Sequence, residues 1–178
     1  GVEVVARELD NAGADFSIIR VDRTITAPGA VALPLRTSGT VPSATQLGVI
    51  GHPSGLPMKI AFGTATQVRE NSDPDFFVAN TDTYAGNSGS PVFNAMTGVV
   101  EGILVLGATD YVTDGDCTRS NVVADTADGE SATRTTVFAM YVPSSRGTVM
   151  VDRERFGCSD EITIEVSDID LSNMGTAS

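Results

Sequence analysis

Short apolar runs rich in β-branched residues, separated by clusters of Gly, Pro, Asn and Asp, recur along most of the chain. Such runs favour β-strands, because branched side chains suit a pleated surface and the intervening residues suit turns. Sustained helical periodicity is hard to find. With 18 Gly and 8 Pro, the pattern predicts an all-β barrel or sandwich. The predicted strands cover residues 17–21, 46–50, 59–68, 76–80, 98–106, 135–142 and 162–166.

The net charge excludes several classes of partner. The 178 residues include 23 Asp plus Glu against 11 Lys plus Arg, which gives a formal charge of −12, and Lys59 is the only lysine. Proteins that bind nucleic acid or anionic lipid need clustered Lys and Arg. We therefore expect neither nucleic acid nor a membrane surface as a partner. No apolar run approaches the ~18 residues of a membrane span.

The residues that could bind a metal are few. His52 is the only histidine, and Cys117 and Cys158 are the only cysteines, so the common zinc sites cannot form. Residues 109–130 form an acidic stretch that we interpret as a long surface excursion. Within it, residues 125–130 carry acids at the wrong spacing for a helix-loop-helix calcium site, so solvated acids are the preferred interpretation. No metal or cofactor is expected.

The most informative segment is the glycine-flanked serine of residues 86–89, Gly-Asn-Ser-Gly, followed by the apolar run Pro-Val-Phe. A serine between two glycines in a tight turn can expose its hydroxyl while backbone N–H groups face a bound carbonyl oxygen. The same residues are also common in an ordinary turn between two strands of a β-hairpin. Taken alone, they leave a nucleophile and a structural turn both open.

Residues 86–92 resemble the nucleophile motif of the chymotrypsin-like (trypsin-fold) serine proteases, and their Asn-Ser-Gly-Ser-Pro form resembles the bacterial glutamyl-endopeptidase-like branch. Residues 15–20 are similar to the segment around the family's catalytic aspartate. Residues 50–55 resemble the turn that lies between this aspartate and the serine. Residues 98–104 resemble the strand that forms one wall of the primary specificity pocket. The resemblance extends over roughly residues 1–142.

The resemblance implies specific catalytic roles. Ser88 would be the nucleophile, Asp15 the acid that orients the base, and the N–H groups of Gly86 and Ser88 the oxyanion hole of an acyl-enzyme mechanism. The family places its base histidine before the aspartate, and no histidine precedes Asp15 here. His52 lies between Asp15 and Ser88, where we expect a local structural role.

The missing base leads to an expectation about the extent of the chain. We expect residues 1–157 to be a trypsin-type double β-barrel with an incomplete first barrel and a complete second one. Residues 158–178 would be a tail or the start of a further β element. The missing N-terminal segment of the same protein would carry the histidine and act as a partner. The predicted function is a serine endopeptidase, inactive as this chain alone; the alternative is a non-catalytic binding or scaffold module of the same fold.

The resemblance also implies a specificity pocket at Asp82, Thr83 and Leu104. An acid six residues before the nucleophile lies at the bottom of this pocket in the trypsin-like branch, which predicts cleavage after Arg or Lys. Asp82 could equally be a structural acid bonded to turn N–H groups. Glutamyl specificity would need a histidine where this chain has Leu104. We therefore rank glutamyl specificity lowest.

Cys117 and Cys158 both lie in polar sequence. Buried free thiols would be expected in apolar strands, so a disulfide is the preferred interpretation and two unrelated thiols the alternative. A disulfide indicates an oxidising compartment, which predicts a secreted or periplasmic protein. The resemblance to the glutamyl-endopeptidase-like branch implies a bacterial source. Peptides or proteins are the expected substrates.

Overall fold

The computed structural model describes residues 1–9, 14–124 and 129–143, and the backbone of residues 148–151 and 164–167. The chain divides into two compact units, Gly1–Tyr141 and Val142–Ser178. The predicted domain boundary at residue 157 lies outside the described residues and stays a prediction. No helix in these described ranges is long and apolar enough to cross a membrane.

The first unit contains ten strands and one short α-helix in the described part of the chain. The second contains an antiparallel pair, β11 and β12, in which Val149 lies opposite Val166. The elements, in chain order, are β1 (Val2–Leu9), β2 (Asp15–Val21), β3 (Gln46–Gly51), β4 (Lys59–Glu70), β5 (Phe76–Ala79), β6 (Pro91–Asn94), β7 (Val100–Leu106), β8 (Tyr111–Asp114), β9 (Cys117–Ser120), β10 (Glu130–Arg134), α1 (Thr135–Phe138), β11 (Thr148–Val151) and β12 (Ile164–Ser167).

Six strands of the first unit close into a barrel. Their order is β10-β5-β4-β3-β6-β7, and β10 completes the ring by pairing antiparallel with both β5 and β7. Side chains alternate between the interior and the outside, as the period of two in a strand requires: β5 and β6 each bury every second residue. The all-β prediction is confirmed. The buried core consists of Val41, Leu47, Val49, Val68, Phe77, Ala79, Val92, Leu104 and Ala132.

Gly102 on β7 allows the barrel to close tightly. A Cβ at this position would lie 2.7 Å from the carbonyl oxygen of Thr133 and 2.9 Å from the ring of Phe77. Neither neighbour is the free end of a flexible side chain, so only glycine fits here. The ring of Phe77 is almost completely buried, and full burial of such a side chain contributes about 1.5–3 kcal/mol to folding.

A buried ion pair fastens the long connection between β2 and β3 to the barrel. The Arg36 guanidinium donates through Nε and Nη2 to the two carboxylate oxygens of Glu101, whose side chain is fully buried. Asn94 Nδ2 donates to Glu101 Oε1 over 3.1 Å. The hydrogen bond from Arg36 to this carboxylate raises the pKa of Arg36. Because the Glu101 side chain is taken out of water, these donors replace the hydrogen bonds that water would otherwise make to its carboxylate.

β1 and β2 form a separate two-stranded antiparallel sheet in the first unit. Phe16 on β2 is buried against Phe138 of α1, with ring centroids 5.4 Å apart. Apolar side chains elsewhere in this sheet are exposed, including Val2 at 68% and Leu9 at 72%. The sheet is therefore held to the barrel at one end, while much of its apolar surface is in contact with solvent.

Most of the predicted strands coincide with observed ones, but one prediction is wrong. Residues 135–142 form α1 and a 3-10 turn at Ala139–Tyr141 instead of a strand. Tertiary contacts override the β-propensity of this segment: the Thr135 hydroxyl donates to the Arg36 carbonyl over 2.7 Å, and Phe138 is buried against Phe16. Strands β1, β8, β9, β10 and β11 were not predicted.

The ion pair of Arg36 provides a test of the fold. Arg36→Ala leaves the Glu101 carboxylate buried without its cation, so we expect the free energy of unfolding to fall by about 3 kcal/mol. Arg20→Ala is the matched control, because both side chains of its pair with Glu3 are exposed and the change should be under about 1 kcal/mol. Urea denaturation monitored by circular dichroism measures both. Equal losses in the two variants would contradict the assigned role of Arg36.

Candidate active site

Two glycines give the serine turn of residues 86–89 its shape. Gly86 and Gly89 adopt positive φ values of 96° and 84°, a region that glycine enters without the steric cost of a Cβ. A Cβ on Gly86 would also lie 3.1 Å from the carbonyl oxygen of His52. Ser88, between these glycines, is exposed. The turn therefore presents the predicted nucleophile to solvent.

Backbone hydrogen bonds fix the serine turn on β7. The Gly89 N–H donates to the Leu104 carbonyl over 2.7 Å, and the Leu104 N–H donates to the Ser90 carbonyl over 2.9 Å. Ser88 Oγ lies 3.4 Å from the carbonyl oxygen of Val105. Since β7 belongs to the closed barrel, the predicted nucleophile is attached directly to a barrel strand.

Asn87 stabilises the serine turn through two hydrogen bonds. Its backbone N–H and its side-chain Nδ2 both donate to the Tyr84 carbonyl, over 3.2 and 3.0 Å. The residue is 3% exposed, and its Oδ1 has no hydrogen-bond partner among the described residues. The buried side chain thus supports the chain directly before Ser88.

The predicted oxyanion donors are available for a ligand. Within the described part of the chain, neither the N–H of Gly86 nor that of Ser88 donates to a protein acceptor. Both residues are exposed. Unpaired N–H groups next to an exposed serine hydroxyl are what stabilisation of a developing oxyanion requires.

Asp15 is held to the barrel by a single hydroxyl group. The Asp15 N–H donates to Thr133 Oγ1 over 3.1 Å, and Thr133 Oγ1 donates to the Asp15 carbonyl over 3.0 Å. Thr133 lies on β10 and is buried. Because this hydroxyl is both donor and acceptor, it fixes the backbone of the predicted acid at both of its polar groups.

Asp15 and Ser88 line the same cleft. The cleft has a volume of about 390 Å³, and its walls are residues 15–18 of β2, Ser88 and Gly89, residues 103–105 of β7, and Phe138. The two predicted catalytic residues are far apart in the sequence, and the docking of β2 on the barrel brings them together. We call this space the catalytic cleft, after the roles that the sequence predicts for Asp15 and Ser88.

His52 does not belong to the catalytic cleft. It is exposed, its ring Nδ1 lies 3.2 Å from the Leu56 carbonyl oxygen, and it is not among the residues that line the space beside Ser88. Since the chain has no other histidine, it contributes no imidazole to the pair formed by Asp15 and Ser88.

The three residues predicted for the specificity pocket lie in two places. Asp82 and Thr83 line two cavities, of about 490 and 310 Å³, and the larger one is also lined by Asn87 of the serine turn. Leu104 lines the catalytic cleft and is otherwise part of the barrel core. The smaller cavity is lined by three acids, Asp82, Asp110 and Glu130, and we call it the acidic cavity. The pocket assignment stays a prediction.

Glu130 is a residue that the sequence analysis did not single out. We expected it to be solvated with the acidic stretch, yet it begins β10 and its carboxylate accepts hydrogen bonds from Thr81 and Thr83. Burial raises the pKa of Glu130 above its ordinary value, and the charge of Asp82 adds to this, while the bonds from Thr83 and Thr81 oppose it. The only signal in the sequence was an acid three residues before the first threonine of a segment rich in β-branched residues.

Cys117 is exposed on β9. Cys158 lies outside the described residues, so the predicted disulfide stays a prediction. Among the residues that the structure describes, no group of three or more His, Cys, Asp or Glu side chains could hold a metal ion.

Comparison with known protein families agrees with this geometry. The family model of the trypsin-like peptidase domain matches residues 1–103, which include both Asp15 and Ser88. This is more than half of the chain, which therefore belongs to the trypsin-like peptidase domain family. The all-β structure with a closed six-stranded barrel is consistent with the trypsin-type fold. No curated protein matches the chain.

The raised pKa of Glu130 gives a testable dependence of stability on pH. The folded protein binds a proton at Glu130 more tightly than the unfolded chain does. Its contribution is therefore fully present below the ordinary pKa of a glutamate and is lost as the pH rises through the raised value. We expect the stability of the wild type to fall relative to Glu130→Gln as the pH rises across this interval. Urea titrations at several pH values measure the difference, and a difference independent of pH would contradict the shift.

Proposed function

We propose that this domain is a serine endopeptidase that hydrolyses peptide bonds through an acyl-enzyme on Ser88. The observation that carries the proposal is the shared cleft, in which Ser88 on the serine turn and Asp15 on β2 line one space. A structural hairpin would need neither an acid beside it nor unpaired N–H groups at Gly86 and Ser88.

The residues of the cleft have distinct roles in the proposed reaction. Ser88 Oγ attacks the scissile carbonyl carbon, and the base takes the hydroxyl proton and then gives it to the leaving amine. The N–H groups of Gly86 and Ser88 stabilise the oxyanion. Asp15 orients the base and stabilises its charged form. Water then hydrolyses the ester formed on Ser88, and the enzyme is regenerated.

The base in this proposal is a histidine on a polypeptide segment outside the present sequence. The exposed apolar residues of β1 and β2, among them Val4 and Ile19, are a suitable surface for further strands. Such strands would extend the sheet that carries Asp15 and so bring a base close to this acid. On this proposal the chain alone is inactive.

Activity measured with and without the upstream segment tests the proposed function. The present chain should show no serine-dependent turnover of peptide esters. The same chain expressed with its upstream coding sequence should hydrolyse them and react with a fluorophosphonate at Ser88. Ser88→Ala should lower kcat by a factor on the order of 10⁶, and Ser38→Ala, an exposed serine far from the turn in sequence, is the matched control. Turnover that persists in Ser88→Ala would overturn the proposal.

We further propose that the enzyme cleaves after Arg or Lys. Asp82 and the two other acids of the acidic cavity suit a cationic side chain. Leu104, where an imidazole would be needed for an acidic side chain, belongs to the core.

Substrates that differ only at the residue before the scissile bond test this specificity. On the protein expressed with its upstream segment, Asp82→Asn should lower kcat/KM for Arg and Lys substrates roughly 10- to 100-fold, because a hydrogen bond to a charged group is lost. An Ala substrate is the control and should be unaffected. The absence of a preference for Arg or Lys in the wild type would rule out the pocket role of Asp82.

The alternative function is a non-catalytic binding or scaffold module. The observation that favours it is the position of His52 outside the catalytic cleft. A full-length protein that binds peptides but never hydrolyses them would support this alternative.

A secreted or periplasmic location of a bacterial protein is also a proposal. It depends on a disulfide between Cys117, which is exposed, and Cys158. Mass measurement after thiol alkylation, with and without a reductant, decides whether the two thiols are joined.

A further inference from the structure

The segment between β5 and the serine turn contains a strained residue. Asp82 has a φ of 48°, a left-handed conformation that costs a non-glycine residue on the order of 1–2 kcal/mol. Asp82 is exposed, so the packing of its own side chain does not impose this conformation. The contacts on either side of it must hold the backbone in place.

Those contacts come from one carboxylate. Glu130 Oε2 accepts hydrogen bonds from the N–H of Thr81, over 3.1 Å, and from the Thr81 hydroxyl. Glu130 Oε1 accepts from the N–H of Thr83, also over 3.1 Å, and from the Thr83 hydroxyl. Thr81 and Thr83 are the immediate neighbours of Asp82. The carboxylate therefore bridges the strained residue from both sides and uses both oxygens to do so.

Glu130 is well placed to hold this segment still. It is the first residue of β10 and lies opposite Ala79 in the pairing with β5. Its Cγ would lie 3.0 Å from a Cβ at Gly107, so its aliphatic part is packed closely there. The Glu130 carboxylate is therefore anchored to a strand of the closed barrel.

We propose that Glu130 is a positioning residue that fixes Asp82 for recognition of a cationic substrate side chain. The inference rests on the proposed peptidase function, because it assigns a task to the acidic cavity that Asp82 lines. Glu130 does not touch the substrate in this proposal. It acts by holding Thr81 and Thr83, and so determines where the Asp82 carboxylate lies.

The bonded network connects Glu130 to the nucleophile as well. Tyr84 follows Thr83 directly, and its carbonyl accepts both hydrogen bonds from Asn87. Asn87 precedes Ser88. Only a short stretch of fixed backbone therefore separates the bonds to Glu130 from the serine turn.

The hydrogen bonds of the contact favour an ionised carboxylate, although burial outweighs them and raises the pKa of Glu130. All its partners are donors, and a carboxylate has acceptor sites for all of them. A glutamine at this position would direct its NH₂ group at one pair of donors. Glu130→Gln should therefore release one of the two threonine N–H groups, and Glu130→Ala should release both.

Amide hydrogen exchange followed by NMR tests the contact in the present chain, without any need for catalysis. In Glu130→Ala we expect the amides of Thr81 and Thr83 to exchange about tenfold faster or more, while those of β7 keep their protection. Glu8→Gln, an exposed glutamate on β1, is the matched control for Glu130→Gln. Unchanged exchange at both threonines would overturn the proposal. If Glu130→Ala fails to fold, Glu130→Gln and Thr83→Val provide the same readout.

Binding of benzamidine, a planar aromatic amidinium, tests whether the bonds from Thr81 and Thr83 to Glu130 position Asp82 to bind a cationic group. Calorimetric titration of the present chain should show binding that Asp82→Asn abolishes. Thr83→Val removes a bond to Glu130 without changing any charge, so it separates positioning from electrostatic attraction. We expect it to weaken binding about threefold to tenfold.

Each outcome of the titration decides the proposal. Unchanged affinity in Thr83→Val, or a wild type that does not bind benzamidine through Asp82, would overturn it. Serine-dependent turnover is measured separately, in the protein expressed with its upstream segment. A failure of the proposed function would appear there and would leave the exchange and binding results unaffected.

Discussion

Closure of the barrel by β10 is the constraint on which the rest of the unit depends. This strand of five residues pairs with β5 on one side and β7 on the other. Its residues also make the contacts that order three other segments. Glu130 holds the residues around Asp82, Thr133 holds Asp15, and Arg134 donates to the carbonyl of Asp73 and to both the backbone and the side chain of Asn71. A change that opens β10 would therefore disturb both the position of Asp15 and the segment that leads to Ser88.

The catalytic cleft combines a rigid wall with a more weakly supported one. Ser88 is fixed to β7 within the closed barrel, whereas Asp15 belongs to a two-stranded sheet, a structure that is only marginally stable by itself. Phe16 and the bonds to Thr133 hold that sheet in place near Asp15. The geometry of the cleft thus depends more on this small contact region than on the large core of the barrel.

The sequence predicted some parts of this structure better than others, for physical reasons. Short apolar runs rich in β-branched residues indicated β3, β4, β5 and β7, because each contributes side chains to the continuous core. Strand β10 was not predicted because most of its residues are polar, although Thr133 and Arg134 are buried in the structure. Residues 135–142 have high β-propensity, yet the contacts of Thr135 and Phe138 impose a helix on residues 135–138. Local patterns do not contain such long-range information.

In the candidate site, too, local sequence motifs predicted some residues, whereas long-range contacts could not be predicted. Ser88 could be predicted from a local motif and Asp15 from a family resemblance, and the structure places both in one cleft. The contact between Glu130 and Thr81 joins residues 49 positions apart, so no spacing rule would indicate it. The strain at Asp82 is likewise a property of the folded backbone.

The attachment of Asp15 through its backbone has a consequence for variation at this position. Both polar groups of its peptide backbone bond to the Thr133 hydroxyl, so the location of residue 15 does not depend on which side chain it carries. Replacement of the carboxylate would change the chemistry of the cleft and preserve its architecture. Under the proposed function, a lineage could therefore exchange catalysis for simple binding through one codon, without first having to rebuild the fold.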